Sequence, residues 1–479
     1  MKSNWFVLYF LFFVGVSALA RGQEANQDTL YLDFNASVQM MEKQNQQIES
    51  ARLQKEKARM DKKAATGMYF PSIGASASYA MMSESLELDL TPVKNAITPL
   101  YETLIQYGSF NPEAASPLIK QGLTQGLQQI EQGEWVKEIQ KDQFGLVDVN
   151  FTWALYAGGR IRLANKAAEV RKQEAENNYQ QTWSEQHVEL VQRYFGLQLV
   201  REVAQLRKEV MEGMAKHLHD AKRLEANGMM AEAERLHAEV AYADAEKEYK
   251  KAMKDVELME TALKNTLATD QPVVPVSDLF IEPTLKSRTY FVESALANNP
   301  QLRQISAKQQ LANLNVKKEQ AAFLPNVALM GTKEVYEHDL SEYMPDWFIG
   351  VGLQINIFDG LTKFRKVDAA KIQVQQVGAI REKAQADIVT LVTKTHQQME
   401  KALEEYQATE TSLKFANEYV RVREKAFREG FATSTDVVDA QLNLFKVQTE
   451  QLQAMYAYEL AWARLLAVAG VNDEFRETL

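Results

Sequence analysis

The sequence has no cysteine among its 479 residues. Disulfides, a cysteine nucleophile and a lipid-modified N-terminal cysteine are therefore excluded. Glycine (21) and proline (11) are sparse, which leaves most of the chain free to be helix. Downstream of Ala20 no run of 18 apolar residues occurs, and mean hydropathy is −0.35. A membrane protein of this composition is not helical within the bilayer. Only a closed barrel of alternating strands could span it, because each backbone donor needs a partner inside hydrocarbon. Glycine-rich phosphate loops, Gly-x-Ser-x-Gly elbows and metal-ligand spacings are also missing, so neither enzyme chemistry nor a cofactor is expected. The net charge of −10 argues against nucleic-acid partners.

What the chain does carry begins with an export signal. Lys2 supplies a positive start and Trp5 to Val16 an apolar run, too short to span a membrane. Cleavage after Ala18-Leu19-Ala20, or before Gln23, makes 1–22 a signal peptide.

The remainder is written twice. Gly158 matches Gly360, Gly228 matches Gly430 and Ala238 matches Ala440, each at an offset of 202 (360 − 158). Asn45 with Asn299, Lys63 with Lys317 and Pro71 with Pro325 align at 254 (299 − 45) instead. The difference, 254 − 202 = 52, is an insertion in the first copy, contained in 83–143. The expected division is 23–268 as first repeat, 269–290 as a proline-bearing linker (Pro272, Pro275, Pro283) and 291–479 as second repeat.

Each copy opens with helix; 30–68 is expected to break near Asn45. Period-two alternation follows. Ile73, Ala75, Ala77, Tyr79 and Met81 oppose Ser72, Gly74, Ser76 and Ser78; Val147, Val149, Phe151, Trp153 and Leu155 oppose Asp148, Asn150 and Thr152. In the second copy Val327, Leu329 and Val335 share a face, and Val351, Leu353, Ile355 and Ile357 oppose Gly352, Gln354 and Asn356. A soluble half-buried strand gives the same pattern. The export signal and the aromatic ends (Tyr69, Phe70, Tyr156, Trp347, Phe348, Phe358) favour lipid. The insertion holds Pro92, Pro99, Pro112 and Pro117 and a helical stretch from Ser116 to Glu138, and is expected outside the cell as a long loop with small helices.

Each strand pair ends in a strand-to-helix turn, Gly158-Gly159 or Gly360, from which a helix runs to about Ala226 or Glu429. About 67 residues at 1.5 Å each make a rod roughly 100 Å long. The chain turns at tips near 228 and 430, and a second helix returns to about Ala268 or Ala469. Alanine at Ala164, Ala167, Ala168, Ala238, Ala241 and Ala245 permits close approach of helix axes. Four strands cannot close, since bacterial membrane barrels start at 8. Two chains would give 8 strands with a filled interior, whereas three would give 12 and an aqueous lumen.

At this point the sequence resembles the TolC-like outer-membrane efflux proteins, the outer membrane factor family. The resemblance rests on Ala295-Leu296-Ala297-Asn298-Asn299-Pro300-Gln301-Leu302, on Phe323-Leu324-Pro325-Asn326-Val327 and on Ile357-Phe358-Asp359-Gly360. The run Gly430-Phe431-Ala432-Thr433-Ser434-Thr435-Asp436-Val437-Val438-Asp439-Ala440 is similar to the family's periplasmic tip. It implies a mainly α chain with a membrane β-barrel: a homotrimer whose twelve-stranded barrel in outer-membrane lipid continues as a twelve-helix coiled-coil periplasmic tunnel. It further implies a periplasmic adaptor (membrane fusion) protein and an inner-membrane transporter of RND type, with passive exit of small molecules. Two alternatives remain: the outer-membrane duct of a type I protein secretion system, or a periplasmic coiled-coil spacer without a pore.

The resemblance also places a periplasmic gate at Asp436 and Asp439, three apart on one helical face. Helix capping is the plainer account of Asp436 and a poorer one of Asp439. In the first copy Glu234 and His237 occupy these positions. Gly228, Met229, Met230 and Ala231 form one tip; Gly430, Phe431, Ala432, Thr433 and Ser434 form the other. Both are expected adaptor-docking sites as well as glycine-dependent turns. His217, His219, His237, Met211, Met214, Met229 and Met230 cluster near the first tip. Solvated histidine and core methionine account for them better than a metal site, because His217 and His219 face different ways.

Overall fold

The computed structural model of the protein describes residues 29–107, 117–282 and 286–477. The expected signal, 1–22, lies outside the described residues, as do Pro112, Ser116 and Pro283. In chain order the elements are β1 (Leu30–Leu32), α1 (Phe34–Gln44), α2 (Gln46–Gly67), β2 (Ser72–Met81), β3 (Leu86–Asp89), α3 (Thr91–Tyr107) and α4 (Pro117–Gln132). Then come β4 (Val136–Gln140), β5 (Gln143–Ala157), α5 (Arg160–Ala226), α6 (Glu232–Leu267), β6 (Val273–Pro275), α7 (Arg288–Asn298) and α8 (Pro300–Ala321). The chain closes with β7 (Asn326–His338), β8 (Trp347–Gln354), α9 (Thr362–Arg428), α10 (Ser434–Ala469) and α11 (Asp473–Glu477).

Corresponding helices have identical lengths. α1 and α7 have 11 residues, α2 and α8 have 22, α5 and α9 have 67, and α6 and α10 have 36. The reason is chemical where the helices break. Asn45 and Asn299 each stop one helix and cap the next. Asn45 Oδ1 accepts from the amides of Gln47 (2.9 Å) and Ile48 (3.2 Å), and Asn299 Oδ1 from those of Gln301 (2.9 Å) and Leu302 (3.2 Å). Their Nδ2 groups donate to the carbonyls of Thr266 (3.0 Å) and Val468 (2.8 Å), again 202 apart (468 − 266). Both asparagines are buried, and both ends of each amide find partners.

The described residues divide into two compact units, each drawing on both copies: 29–54 with 176–282, 286–304 and 382–477, and 55–107 with 117–175 and 305–381. In the first, Phe34 is fully buried with its ring 5.4 Å from Tyr194 and 5.3 Å from both Phe195 and Phe475. β1 pairs in parallel with β6, Leu30 opposite Val273. The Tyr194 hydroxyl ties this pair down, donating to the Leu32 carbonyl (2.8 Å) and accepting from the amides of Val276 (3.1 Å) and Ser277 (3.0 Å). The segment expected only to join the copies therefore contains a strand, and α7 already begins within it at Arg288.

The second unit holds a four-stranded antiparallel sheet in the order β2-β5-β7-β8. Among the described residues β2 pairs only with β5 and β8 only with β7, so both edges are open. β3 and β4 form a separate antiparallel pair, and α3 and α4, which lie between them in sequence, pack against each other. Two expectations need correction. The last strand ends at Gln354 and does not run to Ile357, because its partner ladder begins at Asn326 opposite Gln354. At Val335 a bulge interrupts the ladder, since Val147 pairs with Tyr336 and Asp148 with Glu334. The helix expected through Glu138 ends at Gln132, and Val136 onward is strand β4.

Candidate functional site

The sheet sorts its side chains by chemistry. On one face Ile73 stands opposite Phe151, Ala75 opposite Val149, Trp153 opposite Leu329, Leu329 opposite Val351 and Val327 opposite Leu353. The central side chains Val149, Phe151, Val327 and Leu329 are half-buried, while Ile73 is 73% exposed and, on β8, Ile349 is 62%, Val351 65% and Leu353 67% exposed. On the other face Ser72 opposes Thr152, Gly74 opposes Asn150 and Ser76 opposes Asp148. Ser76 Oγ donates to Asp148 Oδ1 (2.7 Å), and Asn150 Nδ2 donates to both Ser76 Oγ and Asp148 Oδ1 (2.8 Å each). Exposed apolar groups on one side and a hydrogen-bonded polar network on the other suit a wall between hydrocarbon and water. No helix of the described residues is long and apolar enough to cross a membrane.

At the sheet's end Gly158 turns the chain into α5 with φ +61°. A Cβ there would stand 2.7 Å from the Ala321 carbonyl oxygen, so both conformation and space require glycine. Gly159 (φ +82°) and Gly360 (φ +68°) are also left-handed, while Leu361 takes φ +66° where the first copy has Gly159.

The two tips share one backbone solution. After α5 the Gly228 amide donates to Glu225 and the Met229 amide to Leu224; after α9 the Gly430 amide donates to Phe427 and the Phe431 amide to Ala426. This is a paired helix-ending motif centred on a left-handed glycine. The next helices start differently. Ala231 precedes α6 without a side-chain cap. Thr433 caps α10 by accepting from the Asp436 amide (3.2 Å), while Asp436 Oδ2 accepts from the Thr433 amide (2.9 Å) and hydroxyl (2.8 Å). Glu234 of the first copy instead serves the other helix, its Oε2 accepting from the Ser434 amide (3.0 Å) at the start of α10.

Asp436 and Asp439 thus differ in circumstance. Asp436 is held by its cap and pairs with Arg423 (3.3 Å). The Thr433 amide and hydroxyl, and then Arg423, hold its carboxyl below the usual range. Asp439 is exposed. Of the tip residues, Met229 (72% exposed) and Phe431 (83% exposed) present large apolar side chains to solvent, so the tips are not lined by small residues alone. Met230 and Ala432 pack half-buried against Ala221, Ala238, Phe427 and Val437. Ser434 is buried, its hydroxyl 2.7 Å from His217 Nε2.

That contact corrects one expectation. His217 is not solvated: it is buried against Phe427, with ring centroids 4.5 Å apart. Burial depresses its pKa, seconded by His237 and opposed by Asp220, Glu424 and Glu234. His219 and His237 are exposed, and among the described residues no group of three acidic, histidine or cysteine side chains could hold a metal. Met211 and Met214 belong to a small core with Val210, Ala245 and Val438. The bonds from His217 and Glu234 to Ser434 join residues about two hundred positions apart. No local pattern could have disclosed them, although Glu234 does match Asp436 at the offset of 202.

Residues 291–471 match the family described as outer membrane efflux protein. The alkaline protease secretion protein AprF of Pseudomonas aeruginosa is 25% identical over 192 residues, 39% of this chain and 40% of that protein. The match thus spans about two fifths of the length of that relative. Among solved structures, the Campylobacter jejuni CmeC outer membrane channel superposes with a TM-score of 0.70 at 16% identity, covering 95% of this chain and 91% of that one. The outer membrane protein VceC of Vibrio cholerae gives 0.67 at 15% identity, with 91% and 96% covered. The chain has the fold of these proteins, mostly helical with a small number of strands.

Proposed function

With a second repeat of the outer membrane efflux protein family and the fold of outer-membrane channels as premise, we propose that the protein is an outer-membrane efflux duct. Three copies join through the open edges of β2 and β8, giving 3 × 4 = 12 strands around an aqueous lumen. The uncovered apolar face meets lipid and the Ser76–Asp148–Asn150 face lines water. One observation carries the reading: a four-stranded sheet, apolar on one face, with both edges unpaired. A sheet with unpaired edges does not persist in a bilayer. The two copies, 23–268 and 291–479, each supply two strands and a long hairpin, and the α5/α6 and α9/α10 hairpins extend the conduit into the periplasm.

The duct does no chemistry; solutes move passively while an inner-membrane transporter supplies energy. Met229 and Phe431 support docking at the tips by a periplasmic adaptor, since exposed apolar side chains on helical turns mark contact surfaces. The adaptor in turn joins the duct to a transporter of the RND type. Asp439 and Asp436 ring the narrow end, where clustered carboxylates retard anions and gather cations. Protein secretion is the second reading, favoured by the likeness to AprF.

Cell fractionation tests the proposal. A heat-modifiable oligomer in the outer membrane that conducts ions in planar bilayers supports it; a monomer without conductance overturns it. Deleting the gene separates the two cargo readings: raised drug sensitivity supports efflux, and loss of a secreted protein with unchanged drug sensitivity supports secretion.

A further inference from the structure

The insertion absent from the second copy is a folded object. Its base is riveted to the turn between β7 and β8. Lys141 pairs with Asp339 (2.5 Å), Gln140 Nε2 donates to the Asp339 carbonyl (2.8 Å), and Gln140 Oε1 accepts from the Ser341 amide (2.8 Å). Lys137 lies over the Tyr343 ring at 5.3 Å. The β3–β4 pair continues the β2–β5 ladder through the Met82 amide, which donates to Asp142 (2.7 Å).

α3, carried on this base, has a broad apolar arc. One half of it, Ile97, Tyr101 and Ile105, is half-buried, and the Tyr101 ring takes the space a side chain at Gly126 of α4 would need. The adjoining half has little cover among the described residues. Val93 is 46% exposed, Leu100 62%, Leu104 46% and Tyr107 65%, and Ala96 between them is exposed. Positions 93, 96, 100, 104 and 107 advance by 3, 4, 4 and 3 residues, 14 in four steps. That mean of about 3.5 is the period of a coiled-coil seam. An apolar arc of about half the helix circumference is wider than one neighbouring helix covers, and among the described residues α3 packs only against α4.

We propose that the missing neighbour is α3 of a second copy of this chain, so that Val93, Ala96, Leu100, Leu104 and Tyr107 form a self-association seam capping one end of the assembled sheet. The inference rests on the multi-copy reading above: pairing β2 of one copy with β8 of the next brings identical insertions around one axis. Charge favours this occupant. The described helices of the insertion carry Lys94 and Lys120 against Glu102 and Glu131, two of each sign. Identical surfaces therefore meet without net repulsion, whereas an anionic lipid headgroup layer would call for a basic face.

The absence of native cysteine makes the test direct. Leu100→Cys, oxidised in the outer-membrane fraction, is expected to give a disulfide-linked dimer on boiled, non-reducing gels. In a three-fold arrangement one such bond joins two chains and leaves the third. Glu102→Cys, on the same helix but off the seam, should stay monomeric. Unboiled samples of both variants report the oligomer independently. If the oligomer is present and Leu100→Cys remains unlinked, or both variants link equally, the seam is refuted while the duct stands. If the oligomer is absent, the duct reading fails first and takes the seam with it. A photoreactive residue at Leu104 supplies a second readout: adducts of two copies support the seam, and adducts to lipopolysaccharide or another polypeptide overturn it.

Discussion

Two carboxylates three residues apart do different work. Asp436 spends its oxygens on Thr433 and Arg423, whereas Asp439 faces solvent. Replacing Asp439 alone is therefore expected to weaken block by trivalent cations in planar bilayers without loosening the tip. Thr433→Ala should instead lower stability locally by about 1 kcal/mol through loss of the cap. Faster hydrogen exchange confined to the first turn of α10, with unchanged cation block, is the outcome to look for. A third carboxylate, Glu459, sits fully buried with Oε1 accepting from the Phe280 amide (2.6 Å) and Oε2 without a partner. Burial pushes its pKa up to about 9, the Phe280 amide only partly opposing. The folded state then holds a proton that the unfolded chain releases above its ordinary value of 4.5. Stability from this group is complete below that value and is lost as pH rises towards 9. Glu459→Gln, neutral throughout, should flatten the fall in melting temperature between about pH 5 and 9; a slope equal to that of the parent would refute the assignment.

At the scale of elements, what was legible depended on length and periodicity. The long helices and the alternation of β2 and β5 were readable, because each repeats one residue pattern many times. β6 was not, since three residues carry no period. The helix expected from Ser116 overruns into β4 as far as Glu138, although Gly133 follows directly on the end of α4 at Gln132. The tip was half legible. Thr433 and Asp436 announce a cap by their spacing, but the partners of Ser434 lie on the other copy's helices. For the sheet, sidedness gives a sharp expectation. Val351→Arg places a charge on the uncovered apolar face and should cost about 2–4 kcal/mol if that face meets mid-bilayer lipid. Ser76→Arg, on the polar face, should leave assembly intact. The yield of heat-modifiable oligomer from outer membranes compares the two.

For the whole molecule, the absence of cysteine and the open sheet edges act together. With no cysteine to join copies, the proposed duct would persist only through pairing of strands and packing of helices. Purified oligomers should therefore survive reductant unchanged and dissociate on boiling, as judged by electrophoretic mobility. The matched helix lengths carry a different consequence. Seven residues removed from α9 alone would draw Gly430 back by about 10 Å, stranding His217 and Glu234 without Ser434. The same excision in both α5 and α9 leaves those partners facing each other. The two hairpins behave as a tally stick split down the middle: a notch cut in one half has meaning only when the other is cut to match. Insertions and deletions in such a chain are tolerated in pairs.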